Sequence, residues 1–324
     1  MKATACITLT PSALSRVFII KASHALWPSL AYGTSPVHTN MKVHTMRHGL
    51  FVFCAVTLCL ALPALPQTCA AQTALLPDGR DFLPPPPPAG SHAQEADMQA
   101  FENTRALHGS SRWQLAHNDA DLTPQHVISD FSCAAGFNLR ADRLPALLDL
   151  LKTLAQPTEQ RVTEEKNFWH RPRPFVGNQQ DICTPDARSK LETSFSYPSG
   201  HTTWGWMTAS ILASALPERA SEIMQRARIF GESRIVCGVH WKSDVQAGYM
   251  NGAAMFAALQ AQPWFVEKMA AVRAELQTLQ AHPTQPDAAT CSTEQKAAAD
   301  IFNPVATVRR AAAPSCCPHY IYQL

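Results

Sequence analysis

The sequence predicts an all-α fold, with a single helical domain over residues 93–280, and two observations support this prediction. Apolar residues recur three and four positions apart through most of that stretch, the spacing that places side chains on one face of a helix. No segment there alternates apolar and polar residues over the length of a strand, and the sequence shows no internal repeat. We therefore expect a helical bundle whose functional site lies at helix ends and loops.

Seven segments carry the helical pattern, and most begin or end at a residue that caps or breaks a helix. Gly109 follows the first segment, Thr158 caps the third, and Pro172 prevents that helix from continuing. Pro217 and Pro263 stand at the starts of later helices. The predicted helices cover residues 93–108, 144–154, 158–170, 202–216, 218–234, 243–259 and 263–279.

Composition indicates where some of these segments lie in the fold. The helix over residues 202–216 is apolar nearly all round, which predicts a central position. The helix over residues 243–259 is rich in Ala, Gly and Met, as is typical of close helix–helix contact. Residues 171–198 show little periodicity and are expected to form a proline-bearing loop.

Residues 41–71 indicate a secretory signal peptide. Lys42 and Arg47 supply positive charge ahead of an apolar run over residues 50–62, which is too short for a comfortable membrane-spanning helix. The segment ends in small residues suited to cleavage. An uncleaved membrane anchor is the competing interpretation. We expect a periplasmic or secreted protein with no stable membrane anchor.

The remaining segments lie outside the helical domain. Residues 1–40 form an N-terminal extension that we interpret as a mis-assigned start. Residues 72–92 are a lead-in whose proline run, residues 84–88, must be extended. Residues 281–324 lose the apolar pattern and are expected to form a loosely ordered tail, with a short helix near residues 293–302.

Charge and cysteine content narrow the class of protein. Charged residues make up 16% of the chain and the net charge is +2, so nothing indicates a nucleic-acid or acidic-membrane partner. After export an even set of cysteines favours disulfides, whereas metal binding lacks a CxxC or paired Cys/His spacing. Connectivity stays open at this point. The set comprises Cys133, Cys183, Cys237, Cys291, Cys316 and Cys317.

Lys166 and Arg173 form the first candidate cluster, in the segment KNFWHRPRP. They flank a predicted helix end and a proline-fixed turn, so both cations can point into one pocket. Phosphoryl transfer depends on such electrostatic stabilisation of phosphoryl oxygens. Taken alone, the segment also fits ordinary surface charge.

Ser199, Gly200 and His201 form the second cluster, directly before the apolar helix. Free backbone N–H groups and the helix dipole favour an anion there, and glycine allows close approach of the backbone. His201 has a side chain suited to donating a proton to a leaving oxygen. The alternative is a plain serine N-cap with a solvent-facing histidine.

Arg234, His240 and Asp244 form the third cluster, in the segment SRIVCGVHWKSD. If a helix begins near Ser243, the carboxylate of Asp244 reaches the imidazole of His240. A carboxylate on one ring nitrogen fixes the tautomer and leaves the other nitrogen free to attack. Arg234 adds a further phosphate clamp. The alternative is a core histidine bonded to an aspartate at a helix N-terminus.

Together the clusters resemble the signature of the type 2 phosphatidic acid phosphatase superfamily, K-x6-RP, PSGH and SR-x5-H-x3-D. The segments DFLPPPPP from Asp81, FSCAAGF from Phe131 and SRIVCGVHWKSDVQAG are also similar to class A bacterial non-specific acid phosphatases. The similarity extends from Asp81 to Leu279.

This resemblance implies an acid phosphatase that hydrolyses a broad range of small phosphate monoesters. His240 would be the nucleophile that forms a phosphohistidine, Asp244 would orient it, and His201 would be the acid and base. No cofactor and no metal are implied, because cations neutralise the phosphoryl charge. The implied phosphate-binding residues are Lys166, Arg173, Ser199, Gly200 and Arg234.

Within the resemblance we expect a disulfide between Cys183 and Cys237, which would tie two loops of the site together. The high content of apolar residues and the resemblance to this family favour a homodimer. One alternative in the same superfamily is a vanadium-dependent haloperoxidase, which uses the same anion pocket. An integral-membrane lipid phosphatase lacks the apolar spans it needs in this sequence. A helical anion-binding protein without turnover would not need both histidines.

Overall fold

The computed structural model describes residues 76–298, and every regular element in that range is helical, which confirms the all-α prediction. Short 3-10 helices cover Ala141–Arg143, Pro185–Ala187 and Pro217–Arg219. The α-helices of the described residues are α1 (Gly79–Phe82), α2 (His92–Arg105), α3 (Ser111–Asn118), α4 (Pro124–Asp130), α5 (Ser132–Ala135), α6 (Pro145–Trp169), α7 (Arg188–Glu192), α8 (Gly200–Ala215), α9 (Ala220–Val236), α10 (Lys242–Leu259), α11 (Pro263–Ala281) and α12 (Ala288–Ala297).

Helix α8 lies at the centre and packs against α9 and α10, as its apolar composition predicts. Glycines let these helices approach closely. A Cβ atom added to Gly205 would lie 2.4 Å from Cδ1 of Phe230 on α9. A Cβ atom added to Gly252 on α10 would lie 2.5 Å from the Thr203 carbonyl oxygen. Larger residues do not fit at either position without moving a helix, so the prediction of close contact is confirmed.

Helix α6 corrects one prediction. The sequence predicts two helices that meet at Thr158, but α6 is continuous with Pro157 inside it, and Thr158 is a buried interior residue rather than an N-cap. An interior proline removes one hydrogen bond and costs about 3 kcal/mol. The helix continues because Leu150 and Leu154 before the proline and Val162 after it are buried in the same core, and that burial outweighs the lost bond.

Other short helices lie where the sequence predicts no helix. The first predicted helix, residues 93–108, ends at Arg105, and α3, α4 and α5 follow it. Helix α7 lies inside the segment 171–198 that was expected to be a loop. Each of these helices has eight residues or fewer. Two turns are too short for an apolar periodicity to be recognised.

The C-terminal tail, expected to be loosely ordered, carries helix α12 in its described part. Cys291 on α12 forms a disulfide with Cys133, and Glu294 lies 2.9 Å from the Arg226 guanidinium. Helix α12 (Ala288–Ala297) overlaps the short helix expected near residues 293–302 and begins earlier than expected. Helix α12 is polar and short, so its attachment depends on a cross-link and a buried ion pair that the sequence pattern does not reveal.

The lead-in before the domain is fixed to the fold. Residues 84–88, the proline run, belong to no helix. The Gly79 amide donates to the Glu165 carboxylate at 2.8 Å, and Asn251 donates to the same carboxylate at 2.6 Å. The Tyr197 hydroxyl donates to the first carbonyl of the proline run. Burial raises the pKa of Glu165 to about 7.

Several predictions concern residues outside the described range. These are the N-terminal extension, residues 1–40, the signal peptide, residues 41–71, and the end of the tail with Cys316 and Cys317. Within residues 76–298, no helix is both long and apolar enough to cross a membrane.

The expected pairing of Cys183 with Cys237 is confirmed. Cys237 is the C-cap of α9, and its carbonyl accepts the Cys183 amide at 3.0 Å. The disulfide therefore fixes the end of α9 to the segment that precedes α7. Cys133–Cys291 is the second disulfide among the described residues, and it fixes α12 to α5.

We expect the double variant Cys133→Ser/Cys291→Ser to lower the free energy of unfolding by about 2–5 kcal/mol, because the lost cross-link closes a long loop in the unfolded chain. Urea denaturation followed by circular dichroism measures this difference. The single variants, each with one free thiol, are the controls. An unchanged unfolding midpoint would show that α12 is held without the disulfide.

Candidate active site

The predicted motifs meet at one cavity of about 500 Å³. The end of α6, the turn after it, the start of α8, the last turn of α9 and the loop before α10 each contribute to its wall. Among the predicted site residues, Lys166, Arg173, Gly200, His201, Arg234 and His240 line the cavity. Ser199 and Asp244 are buried directly behind this wall.

His240 is buried, and its two ring nitrogens have different partners. Nδ1 lies 3.3 Å from Oδ2 of Asp244, and Nε2 lies 3.0 Å from Nη1 of Arg173. A guanidinium can only donate, so Nε2 carries the lone pair and Nδ1 carries the proton. Burial, and then the charges of Arg173 and Lys166, lower the pKa of His240 well below its ordinary value. The imidazole is therefore neutral, with the lone pair of Nε2 at the cavity.

Asp244 holds His240 from the first turn of α10. Its Oδ2 also accepts the Trp241 amide at 2.8 Å, which caps the helix. Its backbone carbonyl accepts the Ser199 amide at 3.0 Å. The carboxylate is fully buried, and burial raises its pKa. Asp244 thus joins the second and third motifs while it orients the imidazole.

His201 is the second histidine of the cavity, in the first turn of α8. Its Nε2 lies 3.1 Å from the Ala120 carbonyl oxygen. A carbonyl can only accept, so Nε2 carries a hydrogen and Nδ1 is the nitrogen that can gain or lose a proton. Burial, and then the charge of Arg234, lower the pKa of His201 well below its ordinary value. In the empty cavity this imidazole is neutral as well.

Lys166, Arg173 and Arg234 are the cavity cations. Lys166 donates to the Phe195 carbonyl at 3.1 Å, and burial, followed by the charge of Arg173, lowers its pKa to about 7. Nε and Nη1 of Arg234 are buried and have no hydrogen-bond partner within residues 76–298. Burial lowers the pKa of Arg234 to about 9 and that of Arg173 to about 10. Buried donors without partners fit an anion that completes the site.

The start of α8 adds backbone donors. Ser199 is the N-cap, and its Oγ accepts the Thr202 amide and hydroxyl. The Thr203 amide bonds to the Ser199 carbonyl, which leaves the Gly200 and His201 amides as the unpaired donors of a helix N-terminus. Ser199 is fully buried beneath the wall. The structure therefore gives it a capping role, and its expected contact with phosphate stays a prediction.

The outer part of the cavity differs from this polar end. Its wall includes the apolar side chains of Leu122, Ala155 and Trp204. Glu159 and Lys190 are exposed residues of the same wall. The cavity thus combines a cationic end that fits a phosphoryl group with a largely apolar region that fits an organic leaving group.

Sequence reasoning missed the residues that support the two histidines. Arg171 lies inside the first motif, but it donates to Asp244 at 2.6 Å and to Asp97 on α2 at 2.7 Å. Ala120 supplies the carbonyl that holds His201. The first motif needs two cations, Lys166 and Arg173, and Arg171 is a third. This additional arginine was the one feature of the sequence that could have indicated a supporting residue. Asp97 and Ala120 lie far from every motif and gave none.

The fold and the site together define a helical protein with a cationic cavity and a buried His–Asp pair at its wall. A family model described as the PAP2 superfamily matches residues 150–267, which contain all three motifs. The chain is 47% identical over 216 residues to an acid phosphatase of Zymomonas mobilis, across 67% of this chain and 82% of that protein.

Further relatives have similar names. The chain is 39% identical over 196 residues to a non-specific acid phosphatase of Salmonella typhimurium, across 60% of this chain and 78% of that protein. It is 33% identical over 203 residues to a non-specific acid phosphatase of Providencia stuartii, across 62% and 82%. The chain belongs to the acid phosphatases of the PAP2 superfamily and is a phosphoric monoester hydrolase. The resemblance inferred from the motifs is confirmed.

We expect sulfate to bind this cavity about tenfold more weakly at pH 8 than at pH 6, because Lys166 loses its proton as the pH rises through the pKa of about 7. Sulfate keeps the same charge across this range, so calorimetric titration reports the protein side of the equilibrium. The control is Lys166→Arg, whose guanidinium stays charged and should remove most of the pH dependence. An equally steep dependence in that variant would contradict the assignment.

Proposed function

We propose that this protein is a periplasmic or secreted acid phosphatase that hydrolyses small phosphate monoesters through a phosphohistidine on His240, without a metal ion. One observation carries this proposal. Nε2 of His240 has its lone pair at the cavity, among the cavity cations, while Asp244 holds the protonated Nδ1 at 3.3 Å. This geometry supports nucleophilic attack on a bound phosphoryl group.

Arg173 donates to Nε2 of His240, the nitrogen that would attack. A bound phosphoryl group offers oxygens for the Arg173 donors and so frees the lone pair on Nε2. The unpaired Nε and Nη1 of Arg234, the Lys166 ammonium and the first amides of α8 supply the other donors. Substrate binding therefore creates both the electrostatic clamp and the free nucleophile.

The first chemical step transfers the phosphoryl group to His240. Nε2 forms a bond to phosphorus as the bond to the leaving oxygen breaks, and that oxygen takes a proton from Nδ1 of His201. The Asp244 carboxylate stabilises the positive charge on the imidazole. His201 is neutral without substrate because burial, and then the charges of Arg234, Lys166 and Arg173, lower its pKa. A bound phosphoryl dianion offsets those charges and raises that pKa, which allows His201 to carry the proton.

The second step releases phosphate. Water attacks phosphorus, Nδ1 of His201 accepts the proton of that water, and the bond to Nε2 of His240 breaks. Both histidines return to their starting states. Since His201 must be protonated for the first step, activity should fall as the pH rises above the pKa of His201 in the complex. This direction agrees with an acidic optimum.

Several observations support the broader parts of the proposal. The largely apolar outer wall of the cavity fits varied organic leaving groups, and two of the relatives named above are called non-specific. The cavity cations supply the charge that a metal ion supplies in other phosphatases. The two disulfides and the predicted signal peptide favour an oxidising compartment.

The test uses p-nitrophenyl phosphate and EDTA-treated protein. We expect His240→Ala to lose turnover, and His201→Ala to slow it by about 10²–10⁴-fold. p-Nitrophenolate leaves without protonation, so His201→Ala should still form the phosphoenzyme and hydrolyse it slowly. Acid-labile, base-stable radioactive phosphate on quenched protein measures that intermediate, which His240→Ala should lack.

The outcomes separate the parts of the proposal. Activity in His240→Ala would show that another group is the nucleophile. Loss of wild-type activity in EDTA, with recovery on adding a divalent ion, would refute metal independence and leave the family assignment intact. Turnover without any trapped phosphoenzyme in wild type and His201→Ala would indicate direct attack by water.

A further inference from the structure

Arg171 differs from the cavity cations that surround it in sequence. It is buried, and its guanidinium faces away from the cavity. Nη1 donates to Oδ1 of Asp244 and to Ser243 Oγ, both at 2.6 Å. Nη2 donates to Asp97 Oδ2 and to Gln94 Oε1, both at 2.7 Å. Arg171 therefore joins two buried carboxylates from different helices and does not line the site.

Asp97 completes this arrangement from α2. Its Oδ1 accepts the Ser243 amide at 2.8 Å, and its Oδ2 accepts the Ser243 hydroxyl as well as Arg171. Only 2% of Asp97 is exposed to solvent. All of its charge is thus directed at the start of α10 and at the guanidinium that holds Asp244.

We propose that Arg171 and Asp97 are positioning residues for the phosphatase reaction: Arg171 keeps Asp244 ionised and aimed at Nδ1 of His240, and Asp97 holds Arg171 and the start of α10 in place. This inference rests on the proposed function of His240 as nucleophile. Neither residue touches the substrate. They act through Asp244, whose two oxygens are divided between Arg171 on one side and His240 with the Trp241 amide on the other.

The charged groups around Asp244 shift its pKa in opposite directions. Burial raises the pKa of Asp244, whereas the charge and hydrogen bond of Arg171 lower it and the charge of Asp97 raises it. If Asp244 took a proton, Nδ1 of His240 would lose its acceptor and Nε2 its fixed lone pair. The titratable and charged groups that face Asp244 are Arg171, His240, Asp97, Lys166, Arg173 and Tyr197.

The same contacts also fasten α2 to α10, so loss of activity alone would not distinguish positioning from general support. The pH profile distinguishes them. Removing Arg171 should raise the pKa of Asp244, and removing the charge of Asp97 should lower it, because the two act on that carboxylate with opposite signs. A merely structural role would reduce activity in both variants without moving the profile in opposite directions.

The experiment compares kcat/KM for p-nitrophenyl phosphate across pH in wild type, Arg171→Gln, Asp97→Asn and the exposed α2 control Glu102→Gln. We expect the acidic limb to move up by at least about one pH unit in Arg171→Gln and down in Asp97→Asn, with no change in Glu102→Gln. kcat should fall in Arg171→Gln while KM changes little, because neither residue contacts substrate.

A second measurement does not depend on turnover. The Nδ1 proton of His240, bonded to Asp244, should give a downfield proton resonance that His240→Ala lacks. Near the acidic limb it should persist in Asp97→Asn and disappear in Arg171→Gln. If Arg171→Gln does not fold, Asp97→Asn and Arg171→Lys still test the direction of the shift.

The inference would be overturned if the acidic limb of the pH profile did not move in Arg171→Gln and Asp97→Asn, or moved in the same direction in both. If His240→Ala were inactive, the proposed function would still stand. An active His240→Ala would instead refute the proposed function itself.

Discussion

The positive charge buried around one cavity is the constraint on which the rest of the structure depends. Lys166, Arg173 and Arg234 meet there, and each has its pKa lowered by burial. Like charges held together out of water are unfavourable until an anion binds. The surrounding helices must therefore resist spreading, and they do so through tight packing of α8 against α9 and α10 and through the Cys183–Cys237 disulfide at the end of α9.

The cations also contribute to the protonation of both histidines. Burial, and then the charges of these cations, lowers the pKa of His240 and of His201, so the proposed nucleophile, Nε2 of His240, holds its lone pair before substrate arrives. A bound phosphoryl dianion offsets the positive charge of the cations and so favours a proton on His201. The two histidines respond differently to the anion because Nδ1 of His240 is already protonated against Asp244, whereas Nδ1 of His201 is free to take a proton. In the proposed mechanism, binding thus prepares His201 as the acid without disabling His240 as the nucleophile.

The sequence was most informative where a short motif lies at a helix end. The proline after Lys166, the glycine after Ser199 and the spacing of His240 from Asp244 determine local geometry directly, and these residues meet as predicted. It was less informative about packing. The sequence predicts two helices where tertiary burial sustains one, α6, through Pro157. It predicts a short helix near residues 293–302, but not the disulfide and the ion pair that hold α12 to the fold. Such long-range contacts have no periodic signal in one sequence.

The residues that support the two histidines also act through long-range contacts that a single sequence does not reveal. Asp97 on α2 reaches His240 through Arg171 and Asp244. His201 is held by the Ala120 carbonyl, and the preceding residue, Asp119, is bound by Arg226, which also pairs with Glu294 on α12. The motifs therefore supply the residues that line the cavity. Helices near both ends of the described chain, α2 and α12, supply residues that hold the lining in place. A motif search identifies the chemistry of such a site, but the orientation of each imidazole depends on charges that the fold brings from elsewhere.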